Sequence, residues 1–87
     1  MSDAPGISFP VSISLRVIGR NQVGFPGLVA ELVGPFVSGI DGDALEVRPS
    51  REGAYISVVV PVWLESKAQM DAIYRVLNDH EDVIMVL

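Results

Sequence analysis

The sequence predicts an α+β fold: one four-stranded antiparallel sheet with both helices on a single face. Three observations carry this expectation. Val11–Gly19 and Ala54–Leu64 are rich in apolar side chains, and along the first of them apolar and polar positions alternate with the period of a strand. Val29, Leu32, Val33 and Phe36, and later Met70, Ile73, Tyr74 and Leu77, recur at helical spacing. Between these regions, Ser50-Arg51-Glu52-Gly53 is a turn that joins two neighbouring strands.

Composition narrows the function before any motif is read. The 87 residues make one domain, with 49% hydrophobic and 20% charged residues, a globular balance. With no cysteine, disulfides, thiolate metal sites and cysteine nucleophiles are excluded. His80 is the sole histidine, which removes multi-histidine metal sites. The net charge of −5 argues against nucleic acid, whose phosphates call for clustered Lys and Arg. No apolar run approaches the roughly 18 residues of a membrane span. Met-Ser-Asp-Ala-Pro-Gly lacks the basic and apolar regions of a signal peptide, so a cytoplasmic protein is expected.

Residues 1–8 are expected to fray as a flexible amino terminus, leaving 9–87 as the domain. In the first strand Val11, Ile13, Leu15 and Val17 share one face, and Ser12, Ser14, Arg16 and Ile18 the other. Gly19–Gly27 is a loop, and Pro26 suits a first helical turn because its missing N–H costs nothing there. The helix Pro26–Val33 stops or kinks at Gly34-Pro35, since Pro35 would clash with the carbonyl of Glu31. Ser38–Asp43 is a loop and Ala44–Pro49 the second strand.

For Leu45 and Val47 to share a face with Ile56, Val58 and Val60, parity allows a register with Pro49 opposite Ala54 and Arg48 opposite Tyr55. Pro61 then falls opposite Gly42, before the second strand begins, so its missing donor leaves no gap. Ser66-Lys67-Ala68-Gln69 reads as a capping box for a second helix ending near Asn78–His80, and Asp82–Leu87 is the last strand. Right-handed crossovers then give strand order 4-1-3-2, the ferredoxin-like βαββαβ arrangement.

Several segments resemble the YbeD-like family of small bacterial proteins. They are Phe9-Pro10, Arg16-Val17-Ile18-Gly19, Arg48-Pro49-Ser50 with Gly53-Ala54-Tyr55-Ile56-Ser57-Val58, Gln69 with Tyr74 and Leu77, and Val83-Ile84-Met85-Val86-Leu87. The resemblance spans most of the chain. It implies a fold similar to ACT regulatory domains, which bind small metabolites, and a regulatory role related to lipoic acid. Gly27, Gly34, Pro35 and Trp63 depart from the family pattern. Locally, Phe25-Pro26-Gly27-Leu28-Val29-Ala30-Glu31-Leu32 is similar to the loop-to-helix segment of ACT domains, where a glycine approaches the bound amino acid.

Candidate chemistry is sparse. Gly19–Gly27 offers N–H groups and a helix amino terminus to an anion, with Arg16 and Arg20 close by, against the plainer reading of a simple connection. The loop resembles that of acylphosphatases, but Pro26 stands where their arginine belongs, so no catalytic residues are expected. Asp41-Gly42-Asp43 lacks the later ligands of a calcium loop, and Asp79–Asp82 reads as an exposed turn, so neither a metal nor a cofactor is expected. Ser57 has no base to activate it.

The reading favoured is a non-enzymatic regulatory module binding a small carboxylate or amino-acid-like ligand through Arg16, Phe25, Gly27, Arg48 and Tyr55. On the uncovered sheet face Val59, Pro61, Trp63, Ile84 and Val86 form an apolar patch expected to meet a second copy, as a homodimer, or another protein.

Overall fold

The computed structural model describes residues 8–87, so the expected fraying of the amino terminus lies, apart from Ser8, outside the described residues. Along the chain run β1 (Val11–Arg20), α1 (Phe25–Val33), a 3-10 turn (Gly42–Ala44), β2 (Glu46–Pro49), β3 (Tyr55–Leu64), α2 (Lys67–Asn78) and β4 (Val83–Val86). All pairings are antiparallel, in the order β2-β3-β1-β4, the predicted order read from the other edge.

Alternation along the two long central strands decides which side is covered. Leu15 and Val17 of β1, and Ile56, Val58, Val60, Val62 and Leu64 of β3, are buried. They meet Phe25, Val29 and Val33 of α1 and Ile73 and Leu77 of α2 in one core. Both helices therefore pack on one face, and the other has no second layer.

The start of α1 depends on two glycines. Gly24 caps the helix at φ 88°, a left-handed conformation that a β-carbon disfavours. At Gly19 the constraint is space: a β-carbon would overlap the Phe25 ring and lie 2.6 Å from the Asp82 carbonyl oxygen. Phe25 thus fills the room that the missing side chain leaves. The helix ends where predicted: the Gly34 N–H still donates to Ala30 at 2.8 Å, and Phe36 closes a tighter turn onto Val33 at 2.9 Å. The capping box of α2 also forms, with Ser66 Oγ accepting from the Gln69 N–H at 3.1 Å. Gln69 Oε1 reaches back one residue further than expected, to the Glu65 N–H at 2.7 Å. Its amide nitrogen donates to the Phe36 carbonyl at 2.8 Å, tying α2 to the segment after α1.

Two expectations need correction. The β2–β3 register places Pro49 opposite Ile56 and Arg48 opposite Ser57, one residue along on each strand from the predicted pairing. The cause is the Ser50 side chain. Its hydroxyl accepts from the Tyr55 N–H at 3.1 Å while the Ser50 N–H donates to the Tyr55 carbonyl at 2.8 Å, so Ser50 and Tyr55 close the hairpin. Parity survives, and so do the faces. Pro61 now aligns with Ala44, still ahead of β2, and its missing donor is on the β2 side, as Tyr55's bond to Ser50 shows for the odd-numbered residues of β3.

The second correction is a bulge. Ile18 faces Met85 and Gly19 faces Val83, which leaves Ile84 with no residue opposite. Val86 pairs with Val17 and so turns toward the core, not onto the open face; Met85 takes the outward position instead.

Gly19→Ala should destabilise the protein by about 1–3 kcal/mol in urea unfolding, the usual range for overpacking a core. Gln69→Ala should cost about 1–2 kcal/mol by the same measurement, because it removes a cap and leaves the Phe36 carbonyl unpaired.

Candidate functional site on the open sheet face

With its other side under helices, the sheet presents a field of side chains ordered by register. Arg20 lies opposite Tyr55; Ile18 lies opposite Ser57, which faces Arg48; Arg16 lies opposite Val59, which faces Glu46. Strands stand about 4.8 Å apart, so Arg48 and Ile18 are separated by about 10 Å across the sheet. Between them is a shallow depression of ≈ 250 Å³ walled by Arg48, Tyr55, Ser57 and Ile18. On the far side of Tyr55 a second depression, ≈ 260 Å³, is bounded by Arg51, Glu52 and Ala54. Tyr55, half exposed, is the wall between them.

The Arg48 guanidinium is paired through Nε with Glu46, and both side chains are exposed. Water screens such a pair, which holds Arg48 in place at little gain. The hollow is lined almost wholly by apolar atoms, with Arg48 among its walls and its guanidinium held by Glu46, an arrangement that seats an apolar group and leaves the charge at the rim. A larger cavity, ≈ 400 Å³, opens nearby beside Ile40, Leu45, Val59 and Pro61, but its charged lining is Asp41 and Glu46. A carboxylate would be repelled there.

Of the five predicted ligand residues, three share this surface: Arg16, Arg48 and Tyr55 are all exposed on it. Phe25 does not. It is 1% exposed, inside the core against Gly19, and cannot touch a ligand. Gly27 lies on α1, across the sheet from that surface, beside Gly42, whose β-carbon would come within 3.1 Å of the Gly27 Cα. The five do not form one site. Nor is the Gly19–Gly27 loop an open cradle. The Asn21 N–H donates to Ala54 at 3.0 Å, its side-chain amide to Gly53 at 2.8 Å, and the Phe25 N–H to Gln22 at 3.3 Å. The loop latches onto the β2–β3 hairpin.

Of the patch residues, Trp63 is 54% exposed, Pro61 is exposed and Val59 is half buried on the open face, while Ile84 projects from the bulge. Arg20, Arg51 and Met85 belong to this surface and were missed; carrying the alternation of β1 one pair further would have found Arg20. His80 is at the α2–β4 turn with Nδ1 accepting from the Asp82 N–H at 3.1 Å, so it is no partner for Ser57. Among the described residues no group of three His, Asp or Glu side chains is placed to hold a metal, and no helix is long and apolar enough to cross a membrane.

Comparison with known proteins gives the chain its relatives. Residues 4–87 match a family described as "Protein of unknown function (DUF493)". A UPF0250 protein of Nitrosomonas europaea is 34% identical over 87 residues, covering all of both chains. A UPF0250 protein of Paraburkholderia phymatum is 35% identical over 81 residues, 93% of this chain and 91% of the relative. In structure the chain is similar to protein HP0495 from H. pylori, with a TM-score of 0.70 over 99% of this chain and 90% of the other; at 17% identity that likeness shows the fold alone. The chain therefore belongs to the UPF0250 (DUF493) family of proteins of unknown function, in keeping with its resemblance to the YbeD-like family of small bacterial proteins.

Proposed function

We propose that this protein is a non-enzymatic regulatory module that binds a small carboxylate with an apolar tail on its open sheet face, between Arg48 and Tyr55. The observation carrying this reading is the ≈ 250 Å³ apolar depression that Arg48, Ile18 and Tyr55 line together. An ion pair to the exposed Arg48 contributes about 0.2–1 kcal/mol, and each methylene buried on the floor adds about 0.8 kcal/mol. Glu46 acts as a built-in competitor, because its carboxylate holds the same guanidinium that the ligand would take. The reading is non-enzymatic because Ser57 has no base beside it and the fold's one histidine stands at the α2–β4 turn.

The test is a thermal-shift titration with octanoate, lipoate and a set of amino acids. At ten times Kd, octanoate or lipoate should raise Tm by about 5–10 °C. Arg48→Gln should reduce the rise, and Glu46→Gln should lower Kd about two- to fivefold by freeing the guanidinium. A rise undiminished by Arg48→Gln would place the ligand elsewhere, and no rise with any compound would reject the reading.

A further inference from the structure

The carboxylate depression occupies only part of a larger basic surface. Four of the six basic residues lie at the hairpin end of the open face: Arg16, Arg20 and Arg48 on the strands and Arg51 in the hairpin loop. Tyr55 stands among them, with Arg20 opposite it, Arg48 in the hollow on one side and Arg51 in the hollow on the other. Glu46 and Glu52 accompany them, and Asp41 lines the cavity beside Val59, opposite Arg16. The whole chain carries −5, and α2 with its flanking turns holds Glu65, Asp71, Asp79, Glu81 and Asp82 against Lys67 and Arg75. The hairpin end of the open face thus has the opposite sign to the rest of the molecule.

We propose that this surface docks an acidic, extended segment of a partner protein, with carboxylates on Arg16, Arg20 and Arg51 and an apolar side chain beside Tyr55. Charge complementarity selects the occupant, and spacing selects its conformation. Arg16 and Arg20 are four residues apart on one strand, about 13 Å. An extended chain lying along β1 brings its own side chains to the same side at that repeat, so acidic residues four apart meet both arginines. A twofold parallel to the strands that stacks open face on open face sets the arginines of one protomer against those of the other. A twofold across the strands sets them at the Trp63 end instead, and the homodimer expected through Val59, Pro61 and Trp63 is thus the competing occupant that the light-scattering measurement below tests. Nucleic acid is disfavoured by the net charge.

This inference rests on the open face being the binding surface, as proposed above, but it depends on Arg20 and Arg51, which lie outside the carboxylate depression. The experiment is fluorescence anisotropy with a labelled ten-residue peptide carrying Glu at every second position and one central Phe, beside its Gln counterpart. The Glu peptide should bind at least tenfold more tightly than the Gln peptide, and its affinity should fall as salt rises. The double variant Arg20→Glu/Arg51→Glu should lose at least tenfold in affinity, while Tm and the octanoate-induced rise stay unchanged. Equal binding of the two peptides, an unaffected double variant, or tighter binding of a single-stranded RNA ten-mer would overturn the proposal. So would a stable dimer in light scattering that the double variant leaves intact and that excludes the peptide. An octanoate shift without peptide binding rejects the docking segment alone; peptide binding without an octanoate shift rejects the small carboxylate alone.

Discussion

The architecture depends on one close approach, the place where the β1 backbone passes the ring of Phe25. Because Gly19 has no side chain, Phe25 enters the core directly beneath the strand and is buried there. That contact sets where α1 begins and on which side of the sheet it lies. α2 follows onto the same side, carried by the crossover from β3 and held to the segment after α1 by the Gln69–Phe36 hydrogen bond. With both helices committed to one face, the other is left to solvent or to a partner.

A bare sheet face brings a risk of association, and the chain limits it in two ways. Its edge strands, β2 and β4, are four residues each, and β4 carries a bulge, so little regular edge is offered to another strand. Arginines interrupt the apolar positions of the face at the hairpin end, where they keep the surface solvated. The same arginines supply the charge that makes this end a candidate site. Toward the other end Trp63 and Pro61 stand among Ser12 and Ser14, with Asp41 and Glu65 in the hollows beside them, so arginines mark one end of the face and apolar and acidic side chains the other.

Much of the fold was legible in the sequence, because alternation in β1 and β3 and the stripes of α1 and α2 each follow from a single period. The faces followed from parity, which tolerates a register shift. What was not legible depended on particular side chains. Nothing in the composition of the hairpin shows that the Ser50 hydroxyl will take the Tyr55 N–H and move the closing pair. The bulge at Ile84 is silent too, since Val83-Ile84-Met85-Val86 reads as a plain strand, and it turns Val86 inward. The similarity of Phe25–Leu32 to the loop-to-helix segment of ACT domains points to a ligand at Phe25, but the ring is buried against Gly19. A signal to the contrary was present in Gly19, a glycine ending a strand and followed within a few residues by a large ring. Arg16, Arg48 and Tyr55 lie on the open face because they occupy outward positions of their strands, whereas Phe25 and Gly27 belong to the covered side.

The claim at the centre of this account is that binding occurs on the open face and not at the loop that starts α1. A nitrogen–proton correlation spectrum recorded during titration with octanoate tests it most directly. The account predicts that amide shifts concentrate at Ile18, Arg48, Tyr55 and Ser57, with Phe25, Gly27 and Leu28 unmoved. Shifts centred on Gly24–Leu28, with the open face silent, would contradict it.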